Sequence, residues 1–527
     1  MSSRVARRFH GALRAGISVA AVATLTGCPV GPNFVQPELN ELPASYHGER
    51  ARSEAASFAD LPWWEVFRDP ALQRLAGEAI EANYDLRMAT ERVVQARNFV
   101  IVARSPLLPQ LNYDGLASRQ RSTITNAGDT GTFNFFRGTF ELAWEVDVWG
   151  RIRRATEAAE AQLLAQEEVQ RGVLLTLVAD LAQAYFDLLA LDAQLVIARQ
   201  TAASFGETLE LFTNRYFGGV GSKLETARAA GALESVQAII PELRAAIAAR
   251  ENQISVLLGR PPGAITRGAP LDAQRVAPEI PAGLPSALLR RRPDILQAEA
   301  SVRAANAEVG VAIANFFPRL GLSAAYGAAS PEIGDIVKSS GGLWAMASTL
   351  AGPLFRGGQL YGELKEQQAI HAETVLAWER AVVRALAEVA TALERRRMLV
   401  LERVAREREV AAYRQSVELA LDRYNAGLSN YYEVLEAQQL LFPAENQLVE
   451  ARLGELATVA ELYRALGGGW NLAPEAWLPG TSSAGVEDAA GAGEDVTPAG
   501  LEGKPPLRST GRVHERGVGK SRAPRQS

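Results

Sequence analysis

Glu433 and Glu436 stand three residues apart, so a helix would carry both on one face. Carboxylates gathered this way attract cations and hold multivalent ones; a solvated outer face is the plainer use of the same pair. Gly218-Gly219-Val220-Gly221-Ser222-Lys223 superficially looks like a phosphate loop, but its Lys follows Ser instead of preceding it, and the stretch follows a helical pattern where a strand is required. A turn between two helices accounts for it. His10, His47, His371 and His514 are scattered without ligand spacing, which argues against zinc and against histidine-based catalysis. Basic runs such as Arg395-Arg396-Arg397 fit solvated helix faces or intersubunit pairs. No constellation of an enzyme, a metal site or a cofactor site emerges.

One thiol remains, Cys28, the single cysteine of the 527 residues. Arg4, Arg7, Arg8 and Arg14 form a basic front, Ala15 to Leu25 is apolar, and Leu25-Thr26-Gly27-Cys28 follows. The apolar stretch is too short to span a bilayer. Small residues before a cysteine match a bacterial lipobox, so residues 1–27 read as a signal peptide and Cys28 as the acylated first residue of the mature chain. Pro29 follows; an Asp there would favour retention in the inner membrane, so the pattern points outward. The net charge of -5 gives a nucleic-acid partner no electrostatic support. Aromatics are only 7%, while Ala, Leu, Glu and Arg abound, which favours long helices over a compact enzyme core.

The elements that would position these residues are duplicated. Asp85-Leu86 recurs as Asp294-Ile295, Pro109-Gln110-Leu111 as Pro318-Arg319-Leu320, Tyr216-Phe217-Gly218-Gly219-Val220 as Tyr424-Asn425-Ala426-Gly427-Leu428, and Leu258-Gly259 as Leu466-Gly467. The offset stays nearly constant, the mark of a repeated unit. Each unit reads helix, strand, strand, long helix, turn, helix. The first long helix is expected from about Ala155 to Tyr216, with Leu174, Leu177, Leu181, Ala184, Leu188, Leu191 and Leu195 at unbroken three-four spacing. That is a coiled-coil seam, in a helix roughly 90 Å long. Asp180, Asp187 and Asp192 argue against a membrane span. Its counterpart runs from about Tyr361 to Tyr424, with Arg396 and Arg403 on the seam. Shorter helices from Ala79 to Ser105, Lys223 to Leu258, Asp294 to Asn315 and Asn430 to Leu466 would stack end to end beside the long ones, giving a cylinder of uniform height.

Between the helices, Phe136, Gly138, Phe140, Leu142, Trp144, Val146 and Val148 alternate with Arg137, Thr139, Glu141, Ala143, Glu145 and Asp147, a strand with charge on one face. Leu111 to Ala117, Leu320 to Tyr326 and Leu343 to Leu350 supply three more strands, joined in pairs by turns at 126–129 and 339–342. Four strands cannot close a barrel and open edges cannot sit in lipid, so membranous strands would require several chains to share one barrel; three would give about 12 strands. The tail, 471–527, lacks periodicity and reads as disordered.

Taken together, the motifs resemble those of TolC-like outer-membrane efflux proteins, in particular the lipoprotein branch that serves RND-type pumps. The residues that carry the resemblance are Gly27-Cys28-Pro29-Val30-Gly31-Pro32-Asn33-Phe34, Trp63-Trp64 with Phe67, Asp69 and Pro70, Trp144-Glu145-Val146-Asp147-Val148-Trp149-Gly150-Arg151, Arg290-Arg291-Arg292-Pro293-Asp294-Ile295, and Ala465-Leu466-Gly467-Gly468-Gly469-Trp470. The resemblance implies a mainly α fold with a membrane β-barrel. A homotrimer would share a 12-stranded barrel in outer-membrane lipid, and a long α-helical barrel would project into the periplasm. It implies a passive channel for drugs, toxic solutes or metal ions, fed by an inner-membrane RND-type pump through a periplasmic adaptor, without cofactor. Along the chain this gives a lipid-anchored extended segment at 28–78, repeats at 79–259 and 286–470, and a linker at 260–285. It further implies adaptor contact at Gly219, Val220, Gly221, Gly427, Leu428 and Ser429, an acidic aperture ring of Glu433 and Glu436, and a latch between Tyr424 and Glu225. Ser429 stands where relatives carry a second latch residue, an Arg. The competing reading is a non-channel periplasmic coiled-coil lipoprotein acting as an adaptor, but an adaptor would need a β-rich lipoyl-like segment and usually a single hairpin.

Overall fold

The computed structural model describes residues 29–39, 43, 45–46, 57–122, 131–274, 285–336, 338, 341–469 and 477. All of them belong to the compact unit Met1–Thr481; Ser482–Ser527 form a second unit. The signal peptide, Cys28, the turn at 126–129, Ser339 and Ser340, Trp470 and the tail from 478 lie outside the described residues.

The elements, in chain order, are α1 (Trp63–Val66), α2 (Pro70–Ala82), α3 (Tyr84–Arg104), β1 (Gln110–Ser122), β2 (Gly131–Val146), α4 (Arg151–Phe217), α5 (Lys223–Leu257), α6 (Leu288–Arg291), α7 (Pro293–Ala314), β3 (Arg319–Ser330), β4 (Gly342–Ala351), α8 (Gln359–Asn425) and α9 (Tyr432–Ala465). The expected helix from Ala79 divides at Asn83, whose side chain accepts from Leu86 N at 2.9 Å and caps α3. The segment expected to be extended before it contains α1 and α2. Asp69 caps α2 through Ala71 N at 2.7 Å, with Pro70 at the first helical position.

Helices α4 and α8 have 67 residues each, about 100 Å of helix. Helix α4 packs against α3 and α7 along one half and α5 and α9 along the other; α8 packs against α7 and α9. Short helices therefore stack beside long ones, α3 with α5 and α7 with α9. The seam of α4 is the core: Leu181, Ala184, Tyr185 and Leu188 are fully buried. By length and composition α4 could cross a bilayer, yet 72% of its apolar window is buried inside the molecule, as befits a core helix. On α8, Arg396 is buried among the helices while Arg403 pairs with Glu455 of α9 at 2.7 Å and with Glu407 at 2.9 Å, so the second hairpin replaces part of its apolar seam with ion pairs.

A polar belt braces the middle of the bundle. Buried Tyr185 donates to Asp69 Oδ2 at 2.9 Å and accepts from Gly268 N at 2.8 Å, while Gln274 donates to the same carboxylate at 2.7 Å. Arg292 lies between Asp294 (2.7 Å), Glu388 of α8 (2.8 Å) and the carbonyl of Ala465 at the end of α9 (3.0 Å). That hub explains the Arg-Arg-Arg-Pro-Asp run, because one guanidinium ties the start of α7 to both helices of the second hairpin.

One antiparallel sheet of order β1-β2-β3-β4 leaves β1 and β4 as edges. Tyr113, Phe140, Tyr326 and Trp344 are paired in one row across all four strands and all are exposed. Leu111, Leu142, Ala324 and Met346 form the next row on that face. The opposite face carries Asp114, Arg137 and Glu141, with Arg137 Nε donating to Asp114 at 2.9 Å. Strand β2 stops at Val146, two residues short of the alternation, because Val148 N turns back to Val146 O and the Trp149 indole donates to Pro318 O at 2.8 Å.

Candidate functional site

The tips of the two hairpins, α4–α5 and α8–α9, lie a whole long helix away from the sheet. Each turn is closed by a glycine at positive φ, Gly219 at 75° and Gly427 at 70°. Gly219 N returns to Tyr216 O at 3.0 Å and Val220 N to Arg215 O at 2.9 Å; Gly427 N returns to Tyr424 O at 2.9 Å and Leu428 N to Arg423 O at 2.8 Å. This is the Schellman closure, in which the residue after the glycine commonly packs an apolar side chain back on its helix. Here Val220 and Leu428 are instead 71% and 70% exposed. Gly221 N also reaches Arg215 O at 3.0 Å, and the Oγ of Ser429 is shielded from solvent with no hydrogen-bond partner among the described residues.

Ser222 opens α5 with a capping box: its Oγ accepts from Glu225 N at 3.3 Å, and Glu225 Oε2 accepts from Ser222 N at 2.9 Å. Tyr424 is engaged elsewhere. Arg215 Nη1 donates to its hydroxyl and the guanidinium lies 5.7 Å from its ring centre. Within the chain, therefore, Tyr424 and Glu225 do not meet. Tyr431 sits between Tyr424 and Phe212, at ring separations of 4.8 and 4.7 Å, both edge-on, and shares a 2.5 Å hydrogen bond with Thr208. Burial pushes the Tyr431 hydroxyl above its ordinary pKa.

Glu433 and Glu436 are both exposed on the face of α9 opposite its buried Val434, Leu435, Ala437 and Gln438. Arg423 Nε lies 3.4 Å from Glu433, an exposed pair, while Glu436 has no ion-pair partner among the described residues. Among the described residues no cluster of three or more His, Cys, Asp or Glu could hold a metal ion.

Cys28 lies outside the described residues, but the segment that follows it is fixed. Buried Arg154, in the first turn of α4, donates to Val30 O and Gly31 O at 3.2 Å and to Asn33 Oδ1 at 2.9 Å. Asn306 donates to Pro32 O at 3.0 Å, and Arg303 stacks 4.7 Å from the centre of the Phe34 ring. Gly31 approaches Gly310 so closely that a Cβ on Gly31 would lie 2.6 Å from the Gly310 Cα. Sequence reasoning passed over Arg154, Arg215 and Tyr431. The recurrence of Arg215-Tyr216 as Arg423-Tyr424 in the repeat was the available signal for Arg215; nothing local marks Arg154.

Long paired hairpins, a sheet with an exposed apolar face and glycine-closed tips set the comparison with known proteins. The pattern of the outer membrane efflux protein family matches residues 75–260 and 284–468. The chain belongs to that family. The probable efflux pump outer membrane protein SepC of Pseudomonas putida is 33% identical over 467 residues, spanning 86% of this chain and 97% of that protein. The cation efflux system protein CusC of Escherichia coli is 30% identical over 450 residues, 85% of this chain and 96% of that protein. The open state of the MtrE outer membrane channel of Neisseria gonorrhoeae superposes with a TM-score of 0.77 at 30% identity, covering 84% of this chain and 99% of that one. This efflux family member is an outer-membrane channel component with its helices directed into the periplasm. Its relatives are transporters, not enzymes.

Proposed function

We propose that three copies of this chain close one 12-stranded barrel and one helical duct, through which a pump's cargo passes passively. The observation that carries the reading is the four-stranded sheet with two free edges and an outward apolar face, since a lipid-exposed edge leaves backbone groups unpaired. The helices support it. At either side of the bundle, α3 exposes Phe99, Ile101 and Val102, and α8 exposes Leu376, Val383 and Leu401, as faces awaiting a neighbouring copy would. Acylated Cys28 anchors the assembly, and the clamp on residues 29–36 holds the anchor beside the first turn of α4.

The exposed Val220 and Leu428, with Gly219, Gly221, Gly427 and Ser429, form the docking tips for a periplasmic adaptor joined to an RND-type pump. Glu433 and Glu436 ring the aperture. Tyr424 and Glu225 latch neighbouring chains: they lie on α8 and α5, the opposite outer helices of the far half, which become neighbours when the ring closes. Cargo comprises drugs, toxic solutes or metal ions, in keeping with the solvent, antibiotic and cation efflux named for relatives. Native mass spectrometry of the detergent-extracted protein tests the reading: the expected mass is three acylated chains, and a stable membrane-inserted monomer would overturn it.

A further inference from the structure

The hairpin of β1 and β2 inverts its polarity part-way along. On β2, the apolar outward face runs from Val146 through Trp144, Leu142, Phe140 and Gly138 to Phe136. Ten residue steps at about 3.4 Å, tilted by about 40°, give an apolar height of roughly 26 Å, which matches the apolar band of outer-membrane barrels. Beyond the row Ala117–Phe136–Ser330, the same face turns polar: Arg119 pairs with Asn134 and Arg121 with Thr132. The other face turns apolar at the same level, with Phe135 opposite Ser118 and Phe133 opposite Gln120. Every other charge in the four strands, namely Asp114, Arg137, Glu141, Glu145 and Arg319, lies on that other face. Arg119 and Arg121 are therefore the outward charges of the sheet. Both are exposed, and neither has an ion-pair partner among the described residues.

Their level says what they meet. They stand about 7 and 14 Å along the strand past the last apolar row, hence roughly 5 and 10 Å above it, at the end of the strands away from the periplasmic helices. That is the headgroup layer of the outer leaflet. A guanidinium offers a planar fork that matches phosphate oxygens and cannot lose its charge. We propose that Arg119 and Arg121 form a binding site for the phosphates of the bisphosphorylated glycolipid of the outer leaflet, lipid A, fixing the rotation and depth of the barrel in the membrane. The proposal rests on the reading of the strands as an outward-facing membrane barrel.

The test uses the full acylated protein, stripped of native lipid and reconstituted in vesicles containing phosphatidylcholine with equal small fractions of lipid A, its dephosphorylated form and phosphatidylglycerol. Lipid retained on the protein is then counted by native mass spectrometry. Lipid A is expected to be retained about tenfold over its dephosphorylated form and over phosphatidylglycerol. Arg119→Gln with Arg121→Gln is expected to abolish the preference, and Arg119→Lys with Arg121→Lys to keep part of it because charge remains. Equal retention of lipid A by wild type and the Gln variant, both inserted, overturns the site while leaving the barrel reading intact. Retention of phosphatidylglycerol equal to that of lipid A overturns the assignment to the glycolipid. Failure of the wild type to insert into vesicles at all overturns the barrel reading, and the lipid site falls with it.

Discussion

At the scale of single residues, the proposal gives a few polar groups at the hairpin tips separate roles that experiment can tell apart. Glu433 and Glu436 face solvent, and among the described residues only Glu433 of the two has an ion-pair partner, the exposed Arg423. Replacing both by Gln should weaken cation preference and block by multivalent cations while leaving conductance near the wild-type value. The proposed latch makes a different prediction. A charge-assisted bond from Tyr424 to a carboxylate is worth about 1.5–3 kcal/mol, so Tyr424→Phe with Glu225→Gln should raise single-channel conductance; an unchanged value would show that groups other than the Tyr424 hydroxyl and the Glu225 carboxylate hold the end shut. That Glu433 and Glu436 share one exposed helix face was legible because their spacing fixes it. Arg215 was not, because its partner lies 209 residues away in sequence, and only the fold brings the two copies of the Arg-Tyr pair together.

At the scale of elements, the repeat and the periodicities located the long helices to within a few residues and all four strands, though the first hairpin continues past the expected Ala117 to Ser122 and begins its second strand at Gly131, before the expected Phe136. The errors cluster where a side chain competes with the backbone. Asn83 caps a new helix inside an expected one, and Trp149 leaves the strand to bond Pro318. Neither follows from hydrophobic period. Arg154 shows the same limit, since the N-terminal groups it donates to lie 121 to 124 residues upstream. Arg154→Ala should leave processing at residue 28 unchanged but speed amide exchange at Val30, Gly31 and Asn33 to Gln36, most at Gly31 and Asn33; protection equal to wild type would show that the clamp lies elsewhere. The Arg292 hub makes a stability prediction. Arg292→Met leaves Asp294 and Glu388 without their shared partner, and because both carboxylates are partly exposed the cost should be modest, about 2 kcal/mol in thermal or denaturant unfolding.

At the scale of the whole molecule, one chain is half-finished in two places: its sheet ends in open edges, and its helical layer ends in apolar sides on α3 and α8. The same operation, closure of a ring of copies, would repair both, so the proposed trimer would account for the membrane and periplasmic parts at once. The proposed number three rests on strand arithmetic alone, because no single-chain feature counts its neighbours. The most direct measurement is planar-bilayer recording with the purified acylated protein. Discrete, uniform conductance steps from the trimeric fraction, and none from monomer, are the predicted result. Protein that inserts stably yet passes no current, in the wild type and in the Tyr424→Phe, Glu225→Gln variant alike, would contradict a passive duct.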